Sequence, residues 1–291
     1  MEDHVSLFVS RTARRFVLAM AVTTLVALSA RPAMAQATDP NPGAITLTTG
    51  IDIPSVYYFR GIRQEADPKV TMWPYGDVGI ALFSGTGGLK SAAVNFGVWN
   101  SLHTGSTGSA GPSKQLHYEE DFYSTLTLGF TGLNFGITYT AYTYPNQGAA
   151  PVKEVSFKVA STSKYAPYAQ VAVEMSGQAD AGLDKGTYLE LGVGPSYPVA
   201  GGKATLAIPV KVGMSLSNYY ETSGKDNKFG FFDLGGLVTI PLSGIPSNYG
   251  AWNVHFGADY LRLGDGAVAI GLGTGGKKNQ GVVMGGIGLV Y

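Results

Sequence analysis

The 291-residue chain has no cysteine, no surplus of either charge and, beyond its first 35 residues, no apolar run approaching a membrane-spanning helix. Without cysteine, no disulfide can staple an exported fold, so closure and packing must hold it together. Twenty Lys and Arg against twenty Asp and Glu leave no basic excess, which argues against a nucleic-acid partner. A spanning helix needs about 20 apolar residues, so a helical membrane protein is excluded. Pro and Gly recur so often that a long helix has nowhere to sit. Only 14% of residues are charged. No group of His and carboxylates has metal-ligand spacing, and neither a metal nor a cofactor is expected.

What is present points to export and to strands. Arg11, Arg14 and Arg15 precede an apolar run from Phe16 to Ala30, followed by Ala33-Met34-Ala35. This order of basic, apolar and small-x-small segments predicts a cleaved secretory signal peptide over residues 1–35 and a barrel domain over 36–291. Taking Arg11, Arg14, Arg15, Arg31, Glu2 and Asp3 from the 20 basic and 20 acidic residues leaves 16 and 18 in the mature chain. At the other end, Ile287, Leu289 and Tyr291 alternate with Gly286, Gly288 and Val290 up to the final aromatic. So apolar a last strand suits one that pairs with the first to leave no edge in lipid, and it is the signal expected for the outer-membrane assembly machinery.

Read with a period of two, residues 36–291 give about twelve strands near the ten-residue length of a barrel wall. The clearest runs from Ala204 to Tyr219, where Leu206, Ile208, Val210, Val212, Met214 and Leu216 alternate with Thr205, Lys211, Ser215 and Ser217. Similar alternation marks Tyr118–Phe130, Leu133–Tyr144, Tyr188–Tyr197 and Trp252–Leu263, while Pro74 interrupts the second strand. Tight turns such as Thr131-Gly132 alternate with long polar stretches such as Ser55–Lys69 and Gly264–Gln280. The expected fold is therefore all-β: an antiparallel transmembrane β-barrel of about twelve strands in the outer membrane of a Gram-negative bacterium. A soluble β-sandwich would show polar residues on the outer faces where these strands carry aliphatic and aromatic ones.

Four segments resemble, in order, the landmarks of the TorF-type porin family: Val56-Tyr-Tyr-Phe-Arg-Gly-Ile-Arg-Gln64, Gly97-Val-Trp-Asn-Ser101, Tyr139-Thr-Ala-Tyr-Thr-Tyr-Pro145 and Tyr188-Leu-Glu-Leu-Gly192. The resemblance spans roughly Thr46 to Leu216. Its most specific element is Phe59-Arg60-Gly61-Ile62, although Arg63 stands where a small polar residue is usual, and it fades from Asn218 onward. It implies an outer-membrane channel without catalytic residues.

Sorting the strands by alternation puts Asp52, Asp77, Glu119, Asp121, Glu154, Glu174, Glu190, Asp233, His255 and Asp259 opposite the lipid face, against only Lys158 and Lys211. The expected function is passive diffusion of small solutes or ions through a narrow, cation-preferring lumen. Arg60 is the candidate for the constriction, paired with Asp52 or Asp77. The alternative is a structural or envelope-interaction barrel whose lumen is occluded by Trp99, Tyr123, Tyr142, Tyr168 and Phe231. A barrel hydrolase is the third reading. Asn253, His255 and Asp259 could supply a base and a carboxylate, and His103 with Ser106 is a looser pair, but no nucleophile stands beside the first set. Tyr57, Tyr58, Trp73, Tyr142, Tyr144, Tyr219, Tyr220 and Trp252 lie near strand ends and are read as girdle residues at the lipid headgroups. Gly271-Leu-Gly-Thr-Gly-Gly276 has dinucleotide-loop spacing without a following helix, so it reads as a surface loop. Outer-membrane lipid is the remaining expected partner.

Overall fold

The structure, a computed structural model, describes residues 43–178 and 184–291; the expected signal peptide lies outside the described residues. Twelve antiparallel wall strands run in chain order around a closed ring. They are β1 (Ile45–Pro54), β2 (Thr71–Ser84), β3 (Leu89–His103), β4 (His117–Phe130), β5 (Leu133–Tyr144) and β6 (Ala149–Ser161). The second half comprises β7 (Tyr168–Ser176), β8 (Thr187–Val193, resumed at Ser196–Val199), β9 (Ala204–Ala207, resumed at Val210–Ser217), β10 (Phe229–Pro241), β11 (Ala251–Leu263) and β12 (Asn279–Val290). A short α-helix, α1 (Asp265–Ile270), follows β11.

Closure depends on the last strand. β12 pairs with β11 along one edge and with β1 along the other, from Thr48↔Val290 to Pro54↔Met284. The ladder continues past the strand end, because the Tyr291 amide donates to the Leu47 carbonyl at 2.8 Å and the Leu47 amide to the Tyr291 carbonyl at 2.6 Å. No edge is left for lipid to meet, which is what lets strands span a bilayer. Ile287, Leu289 and Tyr291 all face outward from this seam, with Gly286 and Gly288 facing in.

The period of two decides the two faces. Outward positions are apolar and open: Ile53, Phe96, Phe122, Ile137, Phe157, Phe256 and Val283 are among the exposed large side chains. Inward positions on the same strands are buried and polar, including Asp52, Asn95, Asp121, Thr138, Ser156 and His255. The reading of β8 and β9 as unbroken strands is corrected. Both are interrupted at the same level by Gly194-Pro195 and Ile208-Pro209, because a proline has no amide to give to the ladder. Their carbonyls still serve it: Pro195 accepts from the Ile208 amide and Pro209 from the Gly235 amide. Pro74, by contrast, stays within β2, opposite Ile51.

The connections alternate between the two ends of the barrel: 85–88, 131–132, 162–167, 200–203 and 242–250 lie at one end, and 55–70, 104–116, 145–148, 218–228 and 264–278 at the other, where β7 also ends and β8 begins. About eight strands leave an interior that side chains alone can fill. Twelve leave more, and the segment 55–70 occupies it.

Candidate functional site

Segment 55–70 turns into the lumen as a small hairpin. Tyr58–Phe59 pairs with Ile62–Arg63 around Arg60 (φ 48°) and Gly61 (φ 79°). Positive φ at both central residues is the type I′ turn, whose twist suits a two-residue hairpin. Gly61 is required there for a second reason: a Cβ would lie 2.8 Å from Phe231 Cβ on β10. The hairpin tip therefore sits flush against β10.

Arg60 is its tip. Its guanidinium grips the Glu154 carboxylate of β6 with both forks, at 2.6 and 2.8 Å, and donates to the Tyr219 hydroxyl at 2.9 Å. It lies 4.3 Å from the Tyr188 ring of β8, and the Phe59 and Tyr219 rings flank it at 4.9 and 5.3 Å. The Tyr220 hydroxyl holds its carbonyl at 2.8 Å. The expected partners Asp52 and Asp77 are thus corrected to Glu154. They stand on β1 and β2, behind the hairpin, whereas β6 and β8 flank β7, the strand opposite β1 in a ring of twelve. The loop crosses the lumen.

The base of the loop is sealed by rings. Tyr57 packs against Trp73 and Trp99, each at 5.4 Å, and edge-on to Tyr118 at 6.4 Å. Glu65 is fully buried; it accepts from the Tyr57 amide at 3.1 Å and from the Thr71 hydroxyl at 2.6 Å. Burial pushes its carboxyl above the usual carboxylate range despite those donors and the nearby Arg63. The Tyr118 hydroxyl donates to Gln64 at 3.0 Å. These contacts correct the girdle assignment of Tyr57, Trp73, Tyr142, Tyr219 and Tyr220, which are at most 8% exposed and face inward. The outward rings near strand ends are others, such as Phe83, Tyr165, Tyr197, Tyr260 and Tyr291. The rings named as an occluding set, Trp99, Tyr123, Tyr142 and Phe231, are all buried on the inner face, and Tyr168 joins them partly buried.

Of the remaining inward charges, some are paired with an opposite charge and others are held by neutral donors. Asp52 on β1 and His255 on β11 meet over β12 with 2.7 Å between Oδ1 and Nε2, while His255 Nδ1 lies 3.0 Å from Asn253 Oδ1. They can meet because the intervening residue is Gly286, in register with both; a Cβ there would strike both side chains. Asp77 accepts from Asn95 at 2.6 Å, and Lys211 reaches Asp233 at 3.1 Å. Glu190 accepts the hydroxyls of Tyr168 and Tyr188, each at 2.6 Å, and Lys158 lies 4.1 Å from the Tyr168 ring. Glu174 takes the Gly186 amide at 2.6 Å. Asp259 is next to the inner side of Gly235 on β10. Glu119 and Asp121 stand on one face of β4, 3% and 0% exposed.

The histidines do not form the pairs expected of a hydrolase. His255 is oriented by Asp52 and not by Asp259. His103 Nε2 lies 2.7 Å from Ser101 Oγ and its Nδ1 2.8 Å from Thr107, so Ser106 is not its partner. Ser101 and His103 have a nucleophile-to-base spacing, yet both are fully buried beneath Tyr57 and Trp73, and the Trp73 indole already donates to Ser101 at 3.0 Å. A substrate carbonyl has no approach to that oxygen.

No protein-family model and no curated protein sequence matches the chain. Among solved structures it is similar to an outer-membrane channel from Pseudomonas putida F1, at 10% identity and a TM-score of 0.46 over 88% of this chain and 99% of that one. It is also similar to the outer membrane phospholipase A of Escherichia coli, at 10% identity and 0.44 over 83% and 92%. A third is an anion-selective porin from Comamonas acidovorans, at 10% identity and 0.36 over 85% and 98%.

Proposed function

We propose that this chain is a narrow outer-membrane channel for small solutes or ions, with a lumen that favours cations and a constriction made by the inward hairpin. One observation carries the reading: the enclosed inner wall bears nine carboxylates, Asp52, Asp77, Glu119, Asp121, Glu154, Glu174, Glu190, Asp233 and Asp259, against Arg60, Lys158 and Lys211. Charges of one sign inside a low-dielectric wall concentrate the field along the axis and enrich the opposite ion. In such barrels the longer loops face outside, which puts the hairpin in the outer half of the lumen. The inner half, between Thr48, Asn95, Thr125, Thr138 and Ser156, is lined by small polar groups. Planar-bilayer recording of the folded protein tests the reading. Discrete conductance steps are expected, with a reversal potential of the cation-selective sign across a KCl gradient; the anion-selective sign would remove the cation preference.

The aromatic packing around Tyr57 and the Arg60 grip on the far wall favour a second reading, a barrel whose hairpin keeps the lumen shut until displaced. A silent bilayer with demonstrably folded protein, turned conductive by loosening the hairpin, would carry it.

A further inference from the structure

We propose that the long-loop rim above β10, β11 and β12 is a docking site for the phosphate-bearing headgroup of an outer-leaflet lipid, a proposal that rests on the reading that the long loops face outside. Arg262 is exposed and is the last outward residue of β11, two positions beyond Tyr260 and six beyond Phe256, which are 45% and 59% exposed on the lipid-facing side. A guanidinium at the head of an apolar column lies at headgroup level, where an anion is available to it. It is also oriented. Arg262 Nη1 donates to Asn279 Oδ1 at 2.8 Å, and the Tyr260 hydroxyl donates to the same oxygen at 2.9 Å. Among the described residues no carboxylate forms an ion pair with it.

Two further cations converge on the same place. Lys278 bonds to Asp265 at 2.5 Å, and the fields of Lys225 and Arg262 also reach that carboxyl, which together hold it below the usual carboxylate range. Three cations thus share one acid, whose side chain is 76% exposed, and with Lys228 and Lys277 set against Asp226 and Glu221 the segments 218–228 and 262–278 carry five cations against three acids. Lys228, with a 67% exposed side chain, stands beside outward-facing Phe229, and Asp226 pairs with it at 2.5 Å. A phosphate monoester accepts from a guanidinium fork and an ammonium together. The column below, continued by Val283 at 61% exposure, fits acyl chains, which free phosphate lacks.

The test titrates folded protein in neutral detergent with bis-phosphorylated lipid A and with the same lipid stripped of phosphate, read by native mass spectrometry. The phosphorylated lipid should bind at least tenfold tighter, and R262Q/K278Q should weaken it by about fivefold for each cation removed. K90Q/K164Q, at the opposite rim, should leave it unchanged. Equal binding of the two lipids, no loss in R262Q/K278Q, or an equal loss in K90Q/K164Q overturns the proposal. Should R262Q/K278Q fail to fold by heat-modifiable gel mobility, R262K and K225Q/K278Q replace it with the same expectation of weaker phosphate-dependent binding. Labelling of Lys277→Cys by an impermeant maleimide on intact cells checks the orientation separately. Conductance of the same samples checks the channel reading, which stands or falls without the lipid site.

Discussion

Replacing Arg60 with alanine isolates the grip of the hairpin on the far wall. The pair it removes is buried on both sides, with side chains 7% and 2% exposed, and is bidentate. Deleting one partner of such a pair costs about 3–5 kcal/mol, largely because the other charge is left buried without a counterion. Glu154 keeps one weak donor, the Tyr142 hydroxyl at 3.3 Å, so the lower end applies. The backbone contacts at the tip, Tyr220 to the Arg60 carbonyl and Gly61 on Phe231, survive the substitution. A loss of about 3 kcal/mol shifts the ratio of docked to undocked hairpin by roughly a hundredfold. Single-channel recording should show this as higher open occupancy or larger unitary current in Arg60→Ala than in the wild type. Glu154→Gln should move the record the same way. The double variant should be no worse than Arg60→Ala alone, because the orphaned charge has gone with its partner. A record for Arg60→Ala that superimposes on the wild type, or a double variant showing the full sum of the two single effects, would refute the coupling.

Three other outcomes follow from the same geometry. Gly286→Ala should push Asp52 and His255 apart and lower barrel stability by about 1–3 kcal/mol through the buried hydrogen bond lost between them, read as a lower urea midpoint on heat-modifiable gels; an unchanged midpoint would show that the seam does not depend on this contact. Asp121→Asn should bring the reversal potential in a KCl gradient toward zero, and no movement would place the selective charges elsewhere. Burial holds the Glu65 carboxyl above its unfolded value, with Arg63 nearby and His103 Nε2 at 3.7 Å. The docked loop therefore binds the proton more readily than the free chain, and this share of its stability is present at acid pH and lost as pH rises through the raised value. Labelling of a cysteine at Asp67 should then accelerate with rising pH, and Glu65→Gln should flatten the dependence; a rate that falls as pH rises would reverse the assignment.

The wall of the barrel was legible because a period of two is set locally. A strand such as β5, Leu133–Tyr144, alternates Phe135, Ile137 and Tyr139 with Asn134, Thr138 and Thr140, and nothing remote is needed to assign its faces. The same rule places two of the rings read as girdle, one of which, Tyr142, also stands among the lumen rings of the occluded reading. Trp73 shares parity with Asp77, and Tyr142 with Thr138 and Thr140, so both belong inside, whatever their nearness to a strand end. Tyr219 shares parity with Lys211, Ser215 and Ser217, while Tyr57 and Tyr220 lie in connections, where alternation assigns no face, and the burial of these rings depends on how segment 55–70 folds. That path was not legible, since the contact between Arg60 and Glu154 joins residues 94 positions apart.

A trace of it was nonetheless written in the chain. Tyr58-Phe-Arg-Gly-Ile-Arg63 places two short apolar arms around a two-residue turn, and the type I′ geometry asks for positive φ at both central positions, where Asn-Gly or Gly-Gly would be the comfortable choice. Arginine at the first of them adopts φ 48°, a left-handed conformation that costs a residue with a Cβ about 1–2 kcal/mol. A local preference broken in this way persists only where something remote over-determines it. Here that is the fork on Glu154, the rings of Tyr188 and Tyr219, and the Tyr220 hydroxyl on the Arg60 carbonyl. The wrong residue for the turn is the right residue for the far wall, so strain at Arg60 and occupancy of the lumen have one cause.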